Sequence, residues 1–198
     1  MTDSGWVTEP MTETPDEAVV ARVLAGDRQA FGTLVERYQD RIVAYVRHMG
    51  FGEAEAHDVA QEAFVRAFRH LRRCGEPERF AGWLFRIASN LCRTAGNRSA
   101  RRATEPLEFH RESLEAVAPG PDEQAEANWT KERVRAALDA VASDQREALV
   151  LMYLEGYSVK EIEELTGASV SAVKMRLKRG REAMKALLEP LFMEGSER

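Results

Sequence analysis

The run SVKEIEELTGASVSAVKMRLKRGREAM, Ser158 to Met184, leaves a chain few ways to fold, because it holds a helix start, a helix stop and a second helix start in quick succession. Ser158 followed three positions on by Glu161 forms a capping box, which sets a helix going at Val159. Ile162 and Leu165 give that helix a small apolar face, and Gly167 supplies the left-handed backbone that ends it. Ser169 offers a second N-cap. From there Val170, Val173, Leu177, Met184 and Leu187 recur at helical spacing and are expected inward, with Ser171, Lys174, Met175, Lys178 and Arg181 on the other side. Lys174, Arg176, Lys178, Arg179, Arg181 and Lys185 face the single acid Glu182 between Gly167 and Lys185. Two helices joined by a glycine turn, the second with a basic outer face, form a helix-turn-helix suited to the phosphates and major groove of duplex DNA.

The rest of the chain is patterned for helices too, and no alternating strand run competes with them. The fold class expected is all-α. Its charge divides the chain: 15 basic and 14 acidic residues lie in 1–103, 1 and 7 in 104–127, and 12 and 12 in 128–198. The net charge of -5 therefore comes from the middle. That segment also holds Pro106, Pro119, Gly120 and Pro121, as an extended acidic linker would. Two small helical domains follow: a four-helix unit over 16–103 and a four-helix unit carrying the helix-turn-helix over 126–190, with a leader at 1–15, the linker at 104–125 and a tail at 191–198. Expected helices are Asp16 to Ala25, a second ending at Gly50, Glu53 to Arg72, Phe80 to Arg98, Glu126 to Val141 and Ser143 to Leu154. Val134, Leu138, Val141, Leu149, Leu151, Met152 and Leu154 are expected to form core.

No apolar run reaches membrane-spanning length, and the polar N-terminus lacks the basic start and apolar core of a signal peptide. A cytoplasmic setting is expected. Cys74 and Cys92 are the only cysteines; their spacing fits no metal motif, and both are expected to be idle thiols. No metal or cofactor is expected.

In the first unit two surfaces suggest partners. Asp58, Gln61 and Glu62 form a polar patch beside Val59, Ala63 and Phe64, suited to docking a protein. Phe80 and Trp83 are followed by Arg86, Asn90 and Arg93, then Arg98, Arg101 and Arg102, with no acid between Arg86 and Arg102. Aromatic faces stack on unpaired bases while arginines track the backbone, so this helix is suited to single-stranded nucleic acid.

Together GDRQAFGTLVERYQDRI (Gly26 to Ile42), DVAQEAFVRAFRHL (Asp58 to Leu71), RFAGWLFRIASNLCR (Arg79 to Arg93) and the Ser158 to Met184 run resemble, in order, the extracytoplasmic-function sigma factors of bacterial RNA polymerase. The resemblance spans roughly residues 16 to 190. It implies a non-enzymatic subunit that binds core polymerase, through the largest-subunit coiled coil and the flap, and directs initiation on promoter DNA. It implies Asp58, Gln61, Glu62 and Phe64 at the core interface, and Phe80, Trp83, Arg86, Asn90 and Arg93 on the melted minus-ten element, with Asn90 on a base. It implies Ser171, Lys174, Met175, Arg176, Lys178, Arg179 and Arg181 on the minus-thirty-five duplex: Lys174, Met175 and Lys178 toward base edges, Arg176, Arg179 and Arg181 toward phosphates. The linker would thread toward the active-site cleft. An anti-sigma factor is implied as regulator, and no small-molecule substrate. The chain departs from the family after Asn90, where Gly96 is expected to interrupt the helix, and only a short tail is expected after Pro190.

Two other readings stand beside this one on the residues alone. A conventional helix-turn-helix regulator would use 16–103 for sensing or dimerisation. An enzyme would use His57 and Asp58, or Cys74, but no base, nucleophile and orienting group occur together.

Overall fold

A computed structural model describes the backbone of residues 14–102 and 123–194, and the side-chain surroundings of 14–96 and 132–189. Most of the expected leader and linker, and the end of the tail, lie outside these residues. The described elements are α1 (Asp16–Leu24), α2 (Phe31–His48), α3 (Glu53–Arg69), α4 (Phe80–Arg102), α5 (Glu123–Ala140), α6 (Ser143–Leu149), α7 (Val159–Thr166) and α8 (Val170–Glu194), with no strand among them. The chain is all-α, in a unit of α1–α4 and a unit of α5–α8.

Local chemistry sets the turns. The Asp27 carboxylate accepts from Ala30 N at 3.2 Å and is held by Arg22 at 2.7 Å, turning the chain through Arg28–Ala30 into α2. α3 stops at Arg69, short of the expected Arg72, and passes into a tighter turn over Leu71–Arg73. α4 differs most from expectation, because Gly96 does not interrupt it: the helix runs 23 residues to Arg102. One interior glycine costs about 1 kcal/mol against alanine, too little to break a long helix whose earlier turns are packed. α5 starts at Glu123, three residues before the expected Glu126. α6 ends at Leu149 and widens into a π turn over Val150–Leu154. α8 continues past Pro190 to Glu194.

The apolar interior is one connected cluster that passes from unit to unit. Leu34, Ile42, Tyr45, Ala63, Ala67, Leu84, Phe85 and Ala88 bring it from α2, α3 and α4, and Leu149, Val150, Leu151, Ile162, Leu165, Val173 and Leu177 carry it through α6, α7 and α8. The residues ALVL, Ala148 to Leu151, are buried all round, as befits a segment enclosed on every side. Tyr45 packs edge-on against Phe85 with ring centroids 5.4 Å apart, and Phe85 packs on Tyr157 at 5.6 Å.

Three residues expected in the core stand in solvent instead: Val134, Leu154 and Leu187 are 40%, 55% and 39% exposed. The stripe of α8 runs through Gly180 rather than on to Leu187. Gly180 is buried, and a Cβ there would stand 2.9 Å from Leu149 Cδ1 and 3.1 Å from Leu149 Cγ. Its missing side chain lets α8 approach α6.

Gly180→Ala is therefore expected to destabilise the chain. The helix gains about 1 kcal/mol of propensity, but crowding a packed core costs about 1–3 kcal/mol, and Leu149, itself 6% exposed, has little room to turn aside. Urea unfolding followed by circular dichroism reads the difference; a raised midpoint would mean that the two helices are not seated this closely.

Candidate nucleic-acid and polymerase interfaces

The helix-turn-helix is built by the hydrogen bonds its sequence announces. Ser158 N donates to Glu161 Oε2 at 2.8 Å while Glu161 N donates to Ser158 Oγ at 3.3 Å. Ser158 Oγ also donates to Glu161 Oε2 at 2.6 Å, and this bond, with that from Ser158 N, favours the ionised carboxylate and holds the Glu161 carboxyl below its usual range. α7 ends at Gly167, whose φ of 71° only glycine adopts without penalty. Ser169 Oγ caps α8 by accepting from Ala172 N at 3.3 Å. Glu163 adds a link that sequence reasoning missed: its Oε1 accepts from Val170 N at 3.2 Å, so a side chain of α7 caps the start of α8 and fixes the angle between them.

With Val173 and Leu177 buried, α8 turns Ser171, Lys174, Met175, Lys178, Arg179 and Arg181 outward. Met175 is 47% exposed in the middle of that row. Arg176 differs from its neighbours: it is half-buried and its Nε lies 3.1 Å from Asp144 Oδ2, which ties α8 to α6. Arg181 donates to the Tyr153 hydroxyl at 3.2 Å and still presents its charge outward.

On α3, Asp58 and Gln61 are exposed, and Glu62 is partly exposed and pairs with Arg66 at 2.6 Å. Phe64 is not part of that surface; it is 7% exposed and packs in the core.

On α4 the expected aromatic platform is only partly present. Phe80 is fully buried, with ring centroids 6.3 Å from Phe31, 5.8 Å from Tyr38 and 6.1 Å from Trp83. It anchors the start of α4 and cannot stack on a base. Trp83 remains half-buried at the surface, followed on α4 by exposed Arg86 and Asn90 and half-buried Arg93. Arg93 Nη2 donates to Asn90 Oδ1 at 2.8 Å, which orients the amide.

The side chains of the enzyme reading do not assemble. His57 is exposed and pairs with Glu53 at 3.2 Å, one turn away on α3. The Cys74 thiol donates to Glu76 O at 3.5 Å. Cys92 is buried, and desolvation with the nearby Glu147 charge pushes its thiol up to about 12. Among the described residues no three His, Cys, Asp or Glu side chains group as a metal site, and no helix is long and apolar enough to cross a membrane.

A helical unit with a polar surface on α3 and aromatic and arginine side chains along α4, followed by a unit ending in a helix-turn-helix, is the architecture of a two-part DNA-binding factor. Residues 34–102 match the family model Sigma-70 region 2, and residues 131–184 match Sigma-70 region 4. The chain is 31% identical to the RNA polymerase sigma-H factor of Pseudomonas aeruginosa, over 93% of this chain and 99% of that one. It is also 31% identical to the ECF RNA polymerase sigma-E factor of Escherichia coli, over 89% of this chain and 96% of that one. Its fold superposes on CnrH, solved in complex with the cytosolic domain of CnrY, with a TM-score of 0.65 and 31% identity over 88% of this chain and 97% of CnrH. The chain belongs to the sigma-70 family, among the extracytoplasmic-function sigma factors of bacterial RNA polymerase. It binds core polymerase and directs promoter-specific initiation, as that family does.

The raised thiol of Cys92 has a direct consequence. At about pH 8 the folded chain is expected to alkylate at Cys92 more than about ten-fold slower than the urea-unfolded chain, because the thiolate is the nucleophile. Mass spectrometry after iodoacetamide treatment follows it, and fast labelling of folded Cys92 would contradict its burial.

Proposed function

We propose that the chain divides promoter work among three surfaces and carries out no covalent chemistry of its own. Asp58, Gln61 and Glu62 on α3 dock core polymerase, with Phe64 supporting them from beneath. Ser171, Lys174, Met175 and Lys178 on α8 read the minus-thirty-five duplex, with Arg179 and Arg181 on phosphates and Arg176 holding α8 in place through Asp144. Trp83, Arg86, Asn90 and Arg93 on α4 receive the melted minus-ten strand. The observation that carries this reading is the exposed row on α8, where cations and one apolar side chain project together from a helix whose opposite side is buried.

Met175 suits a thymine methyl, and Lys174 and Lys178 suit guanine acceptors. On α4 the energetics are tighter than two aromatics would make them. Unstacking a base costs a few kcal/mol, and one stacking ring returns about 1–3 kcal/mol, so with Phe80 in the core Trp83 alone cannot pay for melting. Arginine contacts and the polymerase must supply the remainder. The chain acts in the cytoplasm, where core polymerase is, and takes an anti-sigma protein as regulator; the support for that partner is CnrH, solved with the cytosolic domain of CnrY.

In run-off transcription with core polymerase and a promoter library, the chain is expected to select an asymmetric site with two elements. Failure to initiate anywhere would end the proposal. Lys174→Ala with Lys178→Ala is expected to lower discrimination at the upstream element by about 1–3 kcal/mol per lost base contact, with core affinity unchanged by fluorescence titration. Gln61→Ala with Asp58→Ala is expected to do the reverse, weakening core binding and leaving the promoter choice of the residual holoenzyme intact. An equal loss in both assays from either pair would contradict the division of labour.

A further inference from the structure

Two large apolar side chains stand out from the surface just before the helix-turn-helix. Tyr153 and Leu154 close the π turn over Val150–Leu154 and are 56% and 55% exposed, more than Met175 on α8. Widened turns of this kind leave the regular helical path and recur at functional positions. The backbone around Tyr153 is held on both sides: Glu155 N donates to the Val150 carbonyl at 3.1 Å, and Tyr157 N to the Leu151 carbonyl at 2.9 Å. Val150 and Leu151 are themselves buried, so the turn is anchored in the core while its end faces solvent.

Tyr153 meets a partner 28 positions along the chain, Arg181, whose Nη1 donates to the phenol oxygen at 3.2 Å. That bond joins the π turn to the outward row of α8. It leaves donors on both residues. The phenol oxygen accepts, so its own proton remains to be given, and no acceptor for it stands among the described residues. The Arg181 guanidinium gives one N–H to a neutral oxygen, and no carboxylate among the described residues pairs with it. Two neighbours on α8 are less available, because Arg176 pairs with Asp144 at 3.1 Å and Lys178 lies 3.9 Å from Glu182. A bond donated by a cation polarises the phenol and strengthens the bond that its own O–H can make.

We infer that Tyr153 and Arg181 form a two-residue phosphate clamp, in which the tyrosine fixes the guanidinium and donates its hydroxyl proton to the same backbone phosphate of the duplex. The inference rests on the assignment of α8 to duplex DNA, and it extends the duplex surface beyond the helix-turn-helix to the turn that precedes it. A phosphate matches this pair better than a base edge does: it carries negative charge, and its two non-bridging oxygens can accept from Arg181 and Tyr153 at once. The two members act differently. Arg181 neutralises a phosphate and so releases counterions, whereas the tyrosine adds a hydrogen bond without charge. Because phosphates carry no sequence information, the clamp sets how α8 is seated and adds affinity on every promoter alike.

The test uses holoenzyme, assembled from core polymerase and saturating chain, with binding to promoter duplexes read by fluorescence anisotropy. Tyr153→Phe removes the hydroxyl and keeps an exposed ring; Arg181→Ala removes the charge. Tyr153→Phe is expected to weaken binding about ten-fold, as loss of a hydrogen bond to a charged group does, equally on strong and weak promoters and with the salt dependence unchanged. Arg181→Ala is expected to weaken it further, and to lower the slope of log affinity against log salt by about 0.9. The backbone phosphates of the upstream element are then replaced one at a time by neutral methylphosphonates. At one position the replacement should weaken the parent most, Tyr153→Phe less and Arg181→Ala least, because each variant has already lost part of that contact. Tyr153→Phe binding like the parent would overturn the inference. So would a loss that is the same on every methylphosphonate duplex, since it would mark a structural role for the hydroxyl. If no phosphate of the upstream element matters to the parent, and Lys174→Ala with Lys178→Ala is without effect there too, the assignment of α8 to the duplex fails and the clamp falls with it.

Discussion

A carboxylate buried at the junction of α2, α4 and α6 sets how the two halves of this chain meet. Glu147 directly precedes the buried apolar run Ala148 to Leu151, and hydrophobic burial alone would fix neither the rotation of α6 nor its height against α4. A charge taken out of water costs several kcal/mol unless its oxygens find donors. Here Ser89 and Tyr45 are the donors, one from each of two helices of the first unit. Burial and the Glu147 charge push the Tyr45 phenol well above its ordinary range, which keeps it protonated and therefore a donor. Shifting α6 along or around its axis would take the carboxylate away from both donors, so the two bonds favour this registry.

The polar contacts around it are of a different kind. Arg79 and Glu164 are each about half exposed, and exposed ion pairs contribute about 0–1 kcal/mol each. Attraction between the units must therefore come from apolar surface, through Phe85 against Tyr157 and through Leu165 over Gly82. The ion pairs decide what sits where once the apolar faces meet. The interface thus takes its attraction from apolar contact and its placement from weak, half-exposed ion pairs.

Much of the fold could be read from local patterns. The capping box at Ser158, the left-handed Gly167 and the stripe from Val173 to Leu177 depend on bonds and spacings within a few residues, and all stand as the sequence has them. What was not legible depends on partners far along the chain. Phe80 sits in an aromatic and basic run that reads as a base-stacking platform, yet its ring is enclosed by Phe31 and Tyr38 from α2, which no local spacing reveals. Leu154 and Leu187 have the phase of core positions, but periodicity says which way a residue points and not whether anything covers it. Gly180 looks like a weak point in a helix; only the position of Leu149 shows that it is a close approach. The one available signal for Glu147 was a lone acid beside an unbroken apolar run, a combination that calls for a buried donor somewhere else in the chain.

The distribution of charge then acquires a structural sense that the total conceals. α7 is acidic and α8 basic, and Glu163, by capping Val170, makes them a rigid pair. With the acidic helix packed across the start of α4, bonded to Arg79 through Glu164 and to Arg93 through the Thr166 carbonyl, the basic row of α8 is left facing outward. Phosphates and carboxylates compete for the same guanidinium groups, and melted DNA is a polyanion that can offer several phosphates where α7 offers Glu164 and the Thr166 carbonyl.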